Sequence, residues 1–155
     1  PISRMQVVLQ KAAAVLAILF VFNVMITIIN YVGFRVAGDD QVDTQTFILI
    51  SLAPFMLHVT FAAVAFGVSS FFRKQRMVTS IALAIVLGSY FLSIVASISD
   101  ELSGLKWVTP FEYVTSAYII EHVAINPVYV FIMLIVIMIS VVVAIWKYHK
   151  KDLLV

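Results

Sequence analysis

Long runs of apolar residues alternate along the chain with short polar and charged segments. Four runs contain no Asp, Glu, Lys or Arg, and they cover residues 12–34, 46–72, 77–98 and 127–146. Each reaches the roughly 20 residues that a helix needs to cross a hydrocarbon core of about 30 Å. Because lipid offers no partners to backbone N–H and C=O groups, each run should be helical. We therefore predict an all-α polytopic membrane protein with four transmembrane helices in a single domain, residues 1–155.

The composition narrows the functional classes further. Apolar residues make up 63% of the chain, charged residues 12%, and the mean hydropathy is +1.11. Soluble domains are roughly half apolar and a quarter charged, so a soluble fold is excluded. The absence of cysteine excludes disulfides and thiolate metal sites, and we expect neither a cofactor nor a metal. The basic residues stand in short clusters beside the apolar runs, which is typical of membrane flanks and not of a nucleic-acid interface.

Basic and acidic residues occupy alternate connections between the runs. Eight of the ten Lys and Arg residues precede the first run, separate the second from the third, or follow the fourth: Arg4, Lys11, Arg73, Lys74, Arg76, Lys147, Lys150 and Lys151. Seven of the eight acidic residues lie in the other two connections: Asp39, Asp40, Asp43, Asp100, Glu101, Glu112 and Glu121. The positive-inside rule then predicts a multi-pass plasma-membrane protein with both termini in the cytoplasm.

The second acidic connection contains an apolar stretch too short to cross the membrane. We predict a short helix over about residues 110–121 that lies on the outer surface or re-enters the bilayer. Pro110 is a helix-start signal, and Trp107 and Tyr113 suit the depth of lipid headgroups. Together with Phe111, these residues are the candidate outer re-entrant element.

Polar residues inside the runs are candidates for a substrate path. Asn23, Thr27 and Asn30 recur at four- and three-residue spacing and share one helix face. They could line a path or make hydrogen bonds between helices. His58 is an ionisable side chain inside the second run, and such groups are functional candidates by default. His58 could carry a proton, but no carboxylate lies within a run to partner it, so a neutral side chain hydrogen-bonded to a neighbouring helix is the simpler interpretation.

Chemical motifs are absent. The sequence contains no Walker-type glycine loop, HExxH, GxSxG or paired carboxylates, so we expect no enzyme activity, and any ATP hydrolysis would belong to another chain. At the start of the chain, Met5, Val8 and Leu9 share a helix face beside Arg4 and Lys11. This short amphipathic segment could dock in a partner's groove or simply begin an interfacial helix.

Three segments resemble one family. The opening PISRMQVVLQK resembles the coupling-helix region of ABC-2 type permeases, the membrane subunits of ATP-binding-cassette exporters. The stretch YFLSIVASISDELSGLKWVTPFEY is similar to that family's apolar helix, acidic outer loop and aromatic Thr-Pro-Phe segment. The closing WKYHKKDLLV is similar to its terminal helix with a basic pair, an aspartate and a leucine.

The resemblance covers the whole chain, as the last four of the family's usual six spans. It implies an exporter of hydrophobic or amphipathic cargo, formed by two permease copies, identical or different, and cytoplasmic ATP-binding subunits. Pro1, Ile2, Ser3 and Arg4 would couple to the ATPase, and Met5 would join them as part of the docking face. Because the chain begins with Pro1 and has no signal peptide, we expect a fragment or a processed product.

Two other classes remain open. A non-transporting membrane scaffold or accessory subunit would show the same hydropathy without an ATPase partner. A proton-coupled carrier would use His58, although such carriers place charged or discontinuous helices near the membrane midplane and this sequence has little of either.

Overall fold

The computed structural model describes residues 4–36, 43–98 and 100–150. These residues form five α-helices and two 3-10 helices: α1 Arg4–Val36, α2 Thr44–Ser69, α3 Gln75–Ile98, a first 3-10 helix Asp100–Trp107, a second 3-10 helix Pro110–Val114, α4 Ser116–His122 and α5 Pro127–Lys150. The described ranges contain no β-strand. Four helices (α1, α2, α3 and α5) are long and apolar enough to cross a membrane. The predicted all-α membrane fold is confirmed.

The helices do not begin and end where the apolar runs do, because backbone hydrogen bonding and not hydropathy sets the ends of a helix. Helix α1 already begins at Arg4, because charged residues are compatible with a helix that extends past the lipid. Helix α2 begins behind Asp43, whose carboxylate accepts the Thr46 N–H at 3.2 Å, a normal N-cap. It ends at Ser69 and not at Phe72, and the Ser70 hydroxyl turns back to the Gly67 carbonyl at 2.6 Å.

Helix α2 is the centre of the bundle and contacts α1, α3 and α5. Its direction is opposite to that of α1, since Tyr31 and Phe34 near the end of α1 pack on Phe47 near the start of α2. It is parallel to α5, because Gly67 faces Ser140 and, further along both helices, Phe71 meets Lys147.

These directions give the bundle two chemically distinct ends. The basic end carries Lys11, Arg73, Lys74, Arg76 and Lys147, and the acidic end carries Asp43, Glu101, Glu112 and Glu121. The separation of charge along the helix axes follows the alternation in the sequence. Which end faces the cytoplasm remains the prediction of the positive-inside rule.

Small residues form the buried side of α2. Its buried positions are Thr46, Ala53, Thr60 and Gly67, spaced seven residues apart. A seven-residue repeat keeps a seam on one side of a helix in left-handed packing, and small side chains allow close backbone approach in membrane bundles. Most large apolar side chains point outward, as a lipid environment permits.

The connection between α3 and α5 folds back onto the bundle, and we call residues 100–122 the cap segment. The single short helix predicted over residues 110–121 is in fact two elements, because Thr115 is extended (φ −63°, ψ 119°) and separates the second 3-10 helix from α4. Val123 ends α4 in the left-handed conformation, with φ 49° and ψ 37°. The first 3-10 helix was not anticipated from the sequence.

Candidate functional site in the cap segment

Two side-chain hydrogen bonds attach the cap segment to α3. The Thr109 hydroxyl donates to the Ser89 carbonyl oxygen at 2.7 Å, and the Ser93 hydroxyl donates to Glu112 Oε1 at 2.6 Å. Ser89 and Ser93 are one helical turn apart and therefore present a single face of α3. Thr109 is fully buried, so its hydrogen bond is shielded from competing solvent.

Phe111 inserts between two helices. Its ring centroid lies 5.3 Å from that of Phe61 on α2 and 5.5 Å from that of Tyr90 on α3. Both distances fall within the range of favourable aromatic pairs, each contributing about 0.5–1.5 kcal/mol beyond area burial. Phe111 therefore bridges α2 and α3 from the cap segment.

Tyr113 and Trp107 attach the cap segment to α5. The Tyr113 ring stacks on Tyr129 at 4.7 Å with an interplanar angle of 17°, and Trp107 packs edge-on against the same Tyr129 at 5.5 Å. The buried Tyr113 hydroxyl donates to the Trp107 carbonyl oxygen. Burial raises the pKa of Tyr113, and the neighbouring Tyr129 adds to the rise, so this hydroxyl stays protonated and keeps donating.

The contact with Phe61 is deep along α2. At about 1.5 Å per residue, Phe61 lies about 25 Å from the start of α2 at Thr44 and about 12 Å from its end at Ser69. On α3, Tyr90 lies about 12 Å before the helix ends at Ile98. The Phe111 ring therefore packs against the interior of both helices and not against their ends.

One family model, described as "ABC-2 family transporter protein", matches residues 1–153 of the chain. The chain belongs to the ABC-2 transporter family. The resemblance seen in its terminal and central segments is thereby confirmed. No curated protein and no solved structure matches the chain.

Membership gives the ABC-2 chain a general role. Proteins of this family are membrane transport components and not themselves catalysts, and membership implies association with a membrane and with an ATP-binding subunit. Among the described residues, no group of three or more His, Cys, Asp or Glu side chains could hold a metal ion.

The polar residues on α1 that were predicted to line a substrate path in this ABC-2 transporter make few contacts with one another. The Thr27 hydroxyl donates to the Asn23 carbonyl of its own helix at 2.8 Å. Asn23 is half-buried and Asn30 exposed, and neither amide group bonds to another described residue. Among the described residues, the stripe on α1 therefore makes no interhelical hydrogen bond, and its role stays a prediction.

Among the described residues, His58 has no hydrogen-bond partner of the kind that the sequence suggested. Its ring is exposed at the α1–α2 boundary and packs edge-on against Phe22, with centroids 5.9 Å apart. Among the described side chains no carboxylate or hydroxyl bonds to it. His58 lies away from the buried side of α2, which is formed by small residues.

The coupling candidates cannot be placed as a group. Pro1, Ile2 and Ser3 lie outside the described residues. Arg4 and Met5 form the first turn of α1, at the basic end of the ABC-2 chain. Their role stays a prediction.

Several residues that build the cap site were not singled out as site residues from the sequence: Phe61, Ser89, Tyr90, Ser93, Thr109, Glu112 and Tyr129. The four-residue spacing of the two serines in an apolar helix was the one local signal. The aromatic partners carry no such signal, because aromatic residues are common throughout the chain and any of them could face lipid.

Proposed function

We propose that this chain is the permease subunit of an ATP-driven exporter, and that its cap segment is the outer gate. The permease carries hydrophobic or amphipathic cargo outward. The observation that supports this most is the seating of Phe111 between α2 and α3, deep along both helices. Breaks in helical backbone at membrane depth, such as those of the cap segment at residues 108–109 and at Thr115, are tolerated where protein buries them or where they line a cavity. In this proposal the cap segment is a re-entrant element on the outward side of the bundle.

The contacts of the cap segment suit a gate. Besides its general packing on the bundle, its side chains make two hydrogen bonds and one ring contact with α3, one ring contact with α2 and two with α5. An alternating-access transition needs two states with different contacts. A small displacement of α2 or α3 breaks the Phe111 contacts, whereas the covalent connections to α3 and α5 keep the cap segment attached.

The driving force enters at the basic end. Arg4, Met5 and Lys11 begin α1 there, near the positive loop between α2 and α3, and that surface faces the cytoplasm under the positive-inside rule. A cytoplasmic ATP-binding subunit docks on this end, with residues 1–5 in the coupling role. A second permease copy covers part of α1, whose apolar surface is largely exposed in the single chain.

The gate is tested by cross-linking. Cysteines replace Phe61 and Phe111 in a chain that has no native cysteine, and a short reducible thiol reagent joins them. Cross-linked protein, reconstituted with its ATPase, should bind the ATPase and lose transport, and reduction should restore it. The matched control joins Tyr31 and Phe47, whose rings are 5.8 Å apart between α1 and α2, and it should transport normally. Full transport with the Phe61–Phe111 cross-link would remove the gating role.

The ATPase partnership is tested separately. The double variant Arg4→Ala, Met5→Asp should insert and fold but bind the ATP-binding subunit more weakly and uncouple hydrolysis from transport. Unchanged binding and coupling would remove the role of residues 1–5. Failure of the unmodified chain to co-purify with any ATP-binding subunit would favour the scaffold alternative.

A further inference from the structure

The cap segment holds a carboxylate within the bundle. Glu112 follows Phe111 in the chain, is half-buried, and accepts the Ser93 hydroxyl at 2.6 Å. Ser93 lies about 7 Å before the end of α3, so the carboxylate is beside the helix and not beyond it. A charge in such surroundings is costly unless a counter-charge or strong hydrogen bonds compensate it.

The described part of the chain does not supply that counter-charge. No Lys, Arg or His side chain among the described residues forms an ion pair or hydrogen bond with Glu112. This holds even for Lys106 on the same cap segment. The single hydroxyl donor, Ser93, is neutral and occupies one of the two carboxylate oxygens.

The face of α3 that holds the carboxylate through Ser93 also carries an aromatic contact with the cap segment. Tyr90 lies one turn before Ser93 on the same face of α3, and its ring is 5.5 Å from that of Phe111. Tyr90 is 49% exposed, so its ring remains accessible. A carboxylate beside aromatic rings attracts organic cations, by direct charge attraction and by the electrostatic attraction of a cation to a ring face.

An inorganic cation fits this site poorly. Calcium requires six to eight oxygen ligands and magnesium a nearly ideal octahedron. Here the only partner of the Glu112 carboxylate among the described residues is one hydroxyl, that of Ser93, so a shell of oxygen ligands is lacking. An organic cation can neutralise the Glu112 carboxylate without needing a shell of oxygen ligands.

We propose that Glu112, Tyr90 and Phe111 form a binding site for a lipophilic organic cation, with its charge at Glu112 and its apolar body against the rings. The site lies on the proposed gate, and the cargo class of the exporter would then include amphipathic cations. This second statement rests on the proposed function, whereas binding itself does not.

Binding is measured on the full-length purified protein in lipid nanodiscs, without an ATPase. The probes are tetraphenylphosphonium and its uncharged relative triphenylphosphine oxide. Glu112→Gln keeps an acceptor for Ser93 and removes the charge, so it should weaken phosphonium binding about tenfold and leave binding of the oxide unchanged. The matched control Glu121→Gln changes a carboxylate on α4 that is 78% exposed and should leave both affinities unchanged.

A second variant tests the rings at an exposed position, and its thermal stability is measured alongside binding because Tyr90 also contacts Phe111. Tyr90→Leu should weaken phosphonium binding about threefold to fivefold, whereas Tyr31→Leu, at an equally exposed tyrosine on α1, should not. Equal phosphonium affinity in the Glu112→Gln variant and the unchanged protein would overturn the site. So would equal affinity of the unchanged protein for phosphonium and oxide. Specific binding without ATP-driven transport of the cation would leave the site standing and count against the exporter.

Discussion

The packing of α2 against α5 predicts a large effect of one small residue. A Cβ atom added at Gly67 would lie 3.3 Å from the Ser140 carbonyl oxygen, 3.5 Å from its Cα and 3.5 Å from its Cβ. Two of these three neighbours are backbone atoms, which cannot rotate away. We expect Gly67→Leu to force the two helices apart.

The size of the effect follows from the geometry. The Leu side chain adds three carbons beyond a Cβ that is already in tight contact, so the extra volume cannot be absorbed by a rotamer change of Ser140. Overpacking of this kind typically costs about 1–3 kcal/mol. Since α2 is the helix that contacts α1, α3 and α5, the loss should appear in the stability of the whole bundle.

Gly88 provides the matched control for this substitution. It is also a helical glycine in an apolar helix, but a Cβ there would meet nothing within 4 Å. Thermal unfolding of the detergent-solubilised protein, followed by the monodisperse fraction, should show a clear loss for Gly67→Leu and none for Gly88→Leu. Equal stability of the two variants would refute the proposed close approach of α2 and α5.

Three further predictions address the cap segment, His58 and the topology. Thr109→Val removes a buried donor to α3 and should lower the free energy of unfolding by about 1 kcal/mol, whereas Thr115→Val, at an exposed hydroxyl, should cost less than half as much in the same thermal assay. His58→Gln should change stability by less than about 0.5 kcal/mol and leave the pH profile of transport unchanged, and a shifted profile would revive the proton-carrier reading. A cysteine at Ser103 should react with an impermeant reagent from outside intact cells and one at Gln75 should not; the reverse pattern would invert the bundle.

The spans of this chain were predictable because lipid imposes a simple rule. An apolar run of sufficient length must be helical, whatever its side chains do. The alternation of basic and acidic connections in the sequence also predicted that the bundle has one basic and one acidic end. Helix ends were less predictable, since α2 stops where Ser69 and Ser70 turn their hydroxyls back to the carbonyls of Phe66 and Gly67, and hydropathy does not register such bonds.

The partners inside the bundle were not predictable from hydropathy for a physical reason. In a soluble helix, apolar residues mark the buried face, but in lipid both faces are apolar. The buried seam of α2 is marked instead by residue size, through Thr60 and Gly67 among larger neighbours. For His58, a polar residue in a span, the sequence suggested an internal hydrogen bond; its ring lies exposed beside Phe22, and no described residue bonds to it.

The buried side of α2 and the proposed gate lie on the same helix. Phe61, which holds the cap segment, lies about 9 Å before Gly67 on α2. Gly67 in turn is next to the basic end, where Lys147 lies over the Phe71 ring at 4.9 Å. In the proposed exporter, a force applied at the basic end shifts α2 as a rigid body relative to α3. This shift would move Phe61 away from Tyr90, and Phe111 would then lose its contacts with both rings. Gly67→Leu, by displacing α2 from α5, should therefore impair the gate as well as the stability of the bundle.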